Sequence, residues 1–130
     1  MSLAVDIATI LANDAALNLT IGQNLFIGQL TNAPDNQVAV IDEGGDPPQL
    51  TLEKSMIYNK PRARIIVRDT SYLACWRLAA EIASTVRTKT RMAANGSEYH
   101  AFKCLTEPCF LGWDKNNRIM IYMVYQALKE

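Results

Sequence analysis

Apolar and polar positions along the chain change period several times, and each change marks an element. Leu3, Ile7, Ile10 and Leu11 recur at helical spacing, which predicts a helix over 2–13. Ser2 stands where an N-cap is wanted, and Asp6 sits in an early turn, where the helix dipole favours negative charge. Residues 24–30 and Val38–Asp42 read as strands. The turn-forming run Thr31-Asn32-Ala33-Pro34-Asp35-Asn36 between them predicts a hairpin. Glu43-Gly44-Gly45-Asp46-Pro47-Pro48 then interrupts regular structure, and the next firm signal starts at Pro61. This connection of roughly 18 residues exceeds ordinary loops, which suits a functional or mobile segment. Gln49–Glu53 could form a short strand within it, and Met56, Ile57 and Tyr58 are apolar enough to need a partner surface. Mobility over 44–58 in an isolated subunit, with order on assembly, is the expectation.

From Arg62 to Arg68 the pattern alternates. Ala63, Ile65 and Val67 share one face, and Arg62, Arg64, Ile66 and Arg68 share the other. Asp69-Thr70-Ser71 offers caps for a helix reaching about Thr88, with Leu73, Trp76, Ala79, Ala80, Ala83 and Val86 as its apolar stripe. Arg87, Lys89 and Arg91 suit its negative end. Asn95-Gly96 predicts a turn and Tyr99–Thr106 a strand ended by Pro108. Gly112–Asn117 predicts another turn, and Arg118–Leu128 a final strand apolar on both faces. Such a strand lies centrally in a sheet or is covered from outside the domain.

The order predicts an α+β fold: an antiparallel or mixed sheet of about five strands with two main helices packed on it. The 130 residues suit a single domain spanning 1–130. No apolar run approaches the ~20 residues of a bilayer span, so no membrane partner is expected. The start lacks the basic region of a secretory signal, which points to synthesis in a reducing cytoplasm.

The charges sum to zero but are unevenly placed. Residues 1–53 hold seven acids and no Lys or Arg, whereas residues 54–130 hold thirteen basic residues and six acids. Three arrangements account for this: pairing within one fold, an acidic face of one copy against a basic face of the next, or a nucleic-acid surface on the basic half. The stripe Arg62, Arg64, Arg68 fits a solvated or salt-bridged face, a partner protein or DNA. It lacks the interleaved aromatics of a single-strand binder.

Chemistry is sparse. His100 is the one histidine, and His100-x3-Cys104-x4-Cys109 is not a recognised metal spacing. A Cys–His nucleophile would also need an orienting group and an oxyanion hole, and neither is marked. Gly44-Gly45 is followed by Asp46-Pro47-Pro48, which repels phosphate and removes backbone donors. No catalytic residue, metal, cofactor or small-molecule substrate is therefore expected, and Cys75, Cys104 and Cys109 read as small apolar side chains.

The chain resembles phage minor capsid and tail-terminator (tail-completion) proteins. The resemblance lies in the order of its pieces: a short N-terminal helix, Val38–Gly45, Asn59-Lys60-Pro61 leading into Arg64–Arg68, an Ala-rich helix, then Thr106–Asp114 with Arg118 opening the last strand. It implies a structural subunit that forms a ring, usually of six copies. The ring would cap the tail tube and meet the head connector in the neck of the virion, with DNA touching it only in passage. Arg62, Arg64, Arg68, Asp42, Glu43, Met56, Ile57, Tyr58 and Trp113 are the candidate interface residues. Cys109 and Trp113 depart from the more polar connecting segment that the resemblance leads one to expect.

Overall fold

A computed structural model describes residues 3–50, 57–94 and 97–129, with backbone alone at 45–50, 57–59, 90–94, 97, 100 and 129. The elements run α1 (Leu3–Asn13), β1 (Leu25–Ile27), β2 (Gln37–Leu50), β3 (Ile57–Asp69), α2 (Tyr72–Arg87), β4 (Thr90–Ala94), β5 (Ser97–Trp113) and β6 (Ile119–Lys129). They build one mixed sheet in the order β1-β2-β3-β6-β5-β4. The fold is α+β, as the pattern of elements predicts. The sheet has six strands because β4 forms where the exit of the second helix was expected.

β6 lies between β3 and β5, which explains its two apolar faces. Ile119, Ile121, Met123 and Tyr125 turn to the helices, beside Ala63, Ile65 and Val67 of β3 and Val38 and Val40 of β2. Leu3, Ile7, Ile10 and Leu11 of α1 close this core, together with Cys75, Ala79, Ile82, Ala83 and Val86 of α2. Both helices therefore cover one face of the sheet.

α2 is rotated from its predicted orientation. The expected stripe included Leu73 and Ala80, yet Leu73 is 72% exposed and Ala80 is also exposed, while Cys75 and Ile82 point inward. Ser71 does cap the helix: its Oγ accepts the Ala74 N–H at 3.3 Å. Ser2, the expected cap of α1, lies outside the described residues.

The expected hairpin between β1 and β2 is instead a parallel pair, with Leu25 beside Val38 and Ile27 beside Val40. The chain loops back through residues 28–36, starting at Gly28 with φ +97°, a conformation that favours glycine. Gly28 N–H then donates to Val40 O at 2.9 Å.

Gly44-Gly45 and Pro47-Pro48 do not end β2, and Pro108 does not end β5. Register shifts fall between Glu43 and Asp46 and between Asp46 and Gln49 in β2. Others fall on either side of Thr106 in β5. Bulges absorb residues that cannot serve a regular ladder, so the strands continue through them. Over its described residues the long predicted connection is strand, with Leu50 opposite Ile57 and Gln49 opposite Tyr58. Met56 and the predicted Asn95-Gly96 turn lie outside the described residues.

Candidate assembly surfaces

The arginine stripe divides. Arg62, Arg64 and Arg68 do share the face of β3 away from the helices, but each has a different setting. Arg64 Nε lies 2.7 Å from Glu43 Oε1, with the two side chains 41% and 29% exposed. Its guanidinium carbon sits 5.3 Å from the centre of the Tyr122 ring. Glu43 and Arg64 were both expected at a boundary between copies; the fold brings them together within one chain. Arg62 is half-buried, between Glu43 on β2 and Gln126 on β6.

Arg68 is covered by the 31–36 loop and is only 4% exposed. Its Nε donates to Asp35 O at 3.1 Å, and one terminal nitrogen donates to Pro34 O at 2.7 Å. Burial, and secondarily the nearby Arg118 charge, lower the pKa of its guanidinium from the ordinary value.

Arg118 works on the same loop from β6's side. It donates to Asn32 O at 2.6 Å, approaches Asp35 Oδ1 at 3.2 Å, and places Nε 2.7 Å from Asp114 Oδ2. Gln37, also buried, accepts the Thr31 N–H through Oε1 at 2.7 Å and donates from Nε2 to Pro34 O at 2.6 Å. Gln37, Arg68 and Arg118 thus pin the 31–36 loop to one end of the sheet. Sequence reading missed Gln37 and this use of Arg118. The spacing of Asp114 and Arg118 across a turn was the available signal. Asp114 tightens that turn by accepting the Asn116 and Arg118 amides at 2.9 and 3.0 Å. Partial burial raises the pKa of the Asp114 carboxyl, but these bonds and the Arg118 charge outweigh it and hold the group below the usual range.

Asp42 faces the helices. Its Oδ1 accepts the Ala4 N–H at 2.9 Å, satisfying one of the otherwise unpaired amides at the start of α1. In the core, the Tyr99 hydroxyl donates to the Asp6 carboxylate and ties β5 to α1.

Trp113 ends β5 and is 52% exposed. Leu105, Phe110 and Leu111 on the same strand are also exposed, and sequence reading did not single them out; Tyr72 and Leu73 are exposed at the start of α2. The other exposed large apolar side chains among the described residues, Ile21 and Ile27, lie beside β1 at the opposite edge of the sheet. On the sheet, apolar exposure among the described residues is therefore concentrated toward its two sides.

Cys75 is buried, and its thiol is pushed up to about 12 by that burial and by Asp69. Burial and Glu107 likewise raise Cys104. These shifts oppose thiolate formation and with it nucleophilic chemistry. Among the described residues no three His, Cys, Asp or Glu side chains gather closely enough to hold a metal ion.

Against this geometry, the family model described as "Bacteriophage tail terminator protein" matches residues 11–130. The chain belongs to the bacteriophage tail terminator family. No curated protein shows significant similarity to it. Among solved structures it is similar to a chain of the "Virion of native gene transfer agent (GTA) particle", with a TM-score of 0.70 and 15% identity. The match covers 99% of this chain and 95% of that one. At that identity the likeness establishes a common fold. The tail terminator assignment makes the chain a structural protein of the phage tail and a component of the virion.

Proposed function

We propose that this tail terminator works as a single domain, without catalysis, in a closed ring of six copies that caps the finished tail tube and joins it to the head connector. The family match over residues 11–130 carries this reading. The placement of apolar surface supports it. A ring closes through heterologous contacts, in which one flank of a subunit meets the opposite flank of the next. Here Ile21 and Ile27 lie on one flank and Leu105, Phe110, Leu111 and Trp113 on the other.

The proposed neighbours are further copies of this chain, the tube protein and the neck proteins, with DNA passing through the ring. A nucleic-acid module is the weaker reading, because Arg64 lies against Glu43 and Arg68 is spent on loop carbonyls. The test is to add the protein to tail tubes assembled without it and to view them by electron microscopy. A compact cap on one end of each tube is expected. Random decoration of the tubes, or none, would contradict the reading.

A further inference from the structure

Each edge of the sheet is guarded over only part of its length. β1 pairs with β2 only from Val38 to Val40, leaving Ile41–Leu50 without a neighbour on that side among the described residues. β4 pairs with β5 only from Ser97 to Ala101, leaving the strand through Trp113 without an outer neighbour among the described residues. An open edge presents unpaired N–H and C=O groups and serves as a template for another strand.

The two open stretches are diagonally opposed. The covered end of β2 lies level with Arg68 and Asp69, at the end of the sheet where Trp113 pairs with Ile119. The covered end of β5 lies at the other end, where Tyr99 pairs with Lys129. β2 and β5 run in opposite directions, since each strand is antiparallel to the next through β3 and β6.

Resting on the ring reading above, we propose that the open part of β2 in one copy pairs antiparallel with the open part of β5 in the next. The sheet would then continue through the subunit boundary. The stretches are of matching length, and β1 and β4 act as stops that set the offset between copies. This offset brings Ile21 and Ile27 of one copy toward Leu111 and Trp113 of its neighbour, covering apolar side chains that the subunit leaves wet. A staggered sheet closes into a ring when its strands tilt to the ring axis, as in a barrel. Pro47, Pro48 and Pro108 limit the backbone bonds at the bulges, so pairing is discontinuous and side-chain burial contributes the rest.

The test uses Gly44, two residues beyond the helix-facing Asp42, and Phe110, whose ladder partner Ile121 faces the helices; each is three residues in from the Ile41 and Trp113 ends of the open stretches. Gly44 has open space for a side chain. Within one chain the two strands are three spacings apart, roughly 14 Å, too far for a disulfide. In a Cys109→Ser background, Gly44→Cys with Phe110→Cys should give a ladder of covalent oligomers on oxidation, and each single change should give none. Hydrogen exchange of the unaltered protein provides a second measurement, with amides in 41–44 and 104–113 slowing on assembly. Rings of correct mass with neither cross-link nor slowing would overturn the edge pairing and leave the ring intact. Absence of rings at every concentration would overturn both.

Discussion

The Asp42 carboxylate accepts the Ala4 N–H at 2.9 Å, so a strand residue caps the first turn of a helix from 38 positions farther along the chain. The bond fastens α1 to β2 at the point where the strand leaves its β1 neighbour. Asp42→Ala should lower unfolding free energy by about 1 kcal/mol, the usual worth of a helix cap. Urea denaturation with an unchanged slope would show it; a midpoint equal to the unaltered protein's would show that the contact adds nothing.

Arg64 and Glu43 form a half-exposed pair, expected to be worth no more than about 1 kcal/mol to the fold. Arg64→Glu should therefore fold. If the pair also shapes an interface, the change should weaken assembly, and adding Glu43→Lys should restore part of it. Sedimentation of the three proteins measures this. Unchanged assembly in Arg64→Glu would confine the pair to the single chain.

The acid limb of stability should involve Asp14 and Asp114. The Thr85 hydroxyl, then the Ala16 amide, hold the Asp14 carboxyl below its ordinary pKa; Asp114 is held low by Arg118 and Asn116 against the opposing effect of burial. A depressed pKa means that the folded state binds the proton less readily than the unfolded state. Their stabilisation is thus present above the unfolded value near 3.8 and is lost as pH falls through the lower folded values. Thr85→Val should flatten the fall in stability between about pH 5 and 2. An unchanged slope would show that Asp14 contributes nothing to acid stability.

Thiol reactivity should separate the cysteines. Cys109 is exposed, while Cys75 is buried with its thiol raised to about 12. A thiol reagent at neutral pH should label Cys109 quickly and Cys75 only after unfolding. Fast labelling of Cys75 in the native protein would contradict its place in the core.

What the sequence disclosed depended on which physical signal was local. The two faces of β3 are legible because alternation is a property of neighbouring residues. The central position of β6 is legible because both its faces are apolar. The α2 face is not legible in this way: hydrophobicity puts Leu73 inside, whereas it projects from the first turn into solvent. β1 and β2 pair in parallel because Gly28 and the loop held by Gln37, Arg68 and Arg118 return the chain to the start of β1. The carbonyls that recruit those arginines leave no trace in composition. Glycines and prolines read as strand ends because a linear pattern does not reveal bulges. The interface candidates Ile57 and Tyr58 lie on the extended β2–β3 pair, where they remain proposals.

A closed ring of identical subunits fixes the mass of the protein in solution. Sedimentation equilibrium over a wide concentration range should resolve one assembled species near six times the 14.5 kDa subunit, in equilibrium with smaller species and with nothing larger. A monomer or dimer at every concentration, or open-ended growth, would contradict it.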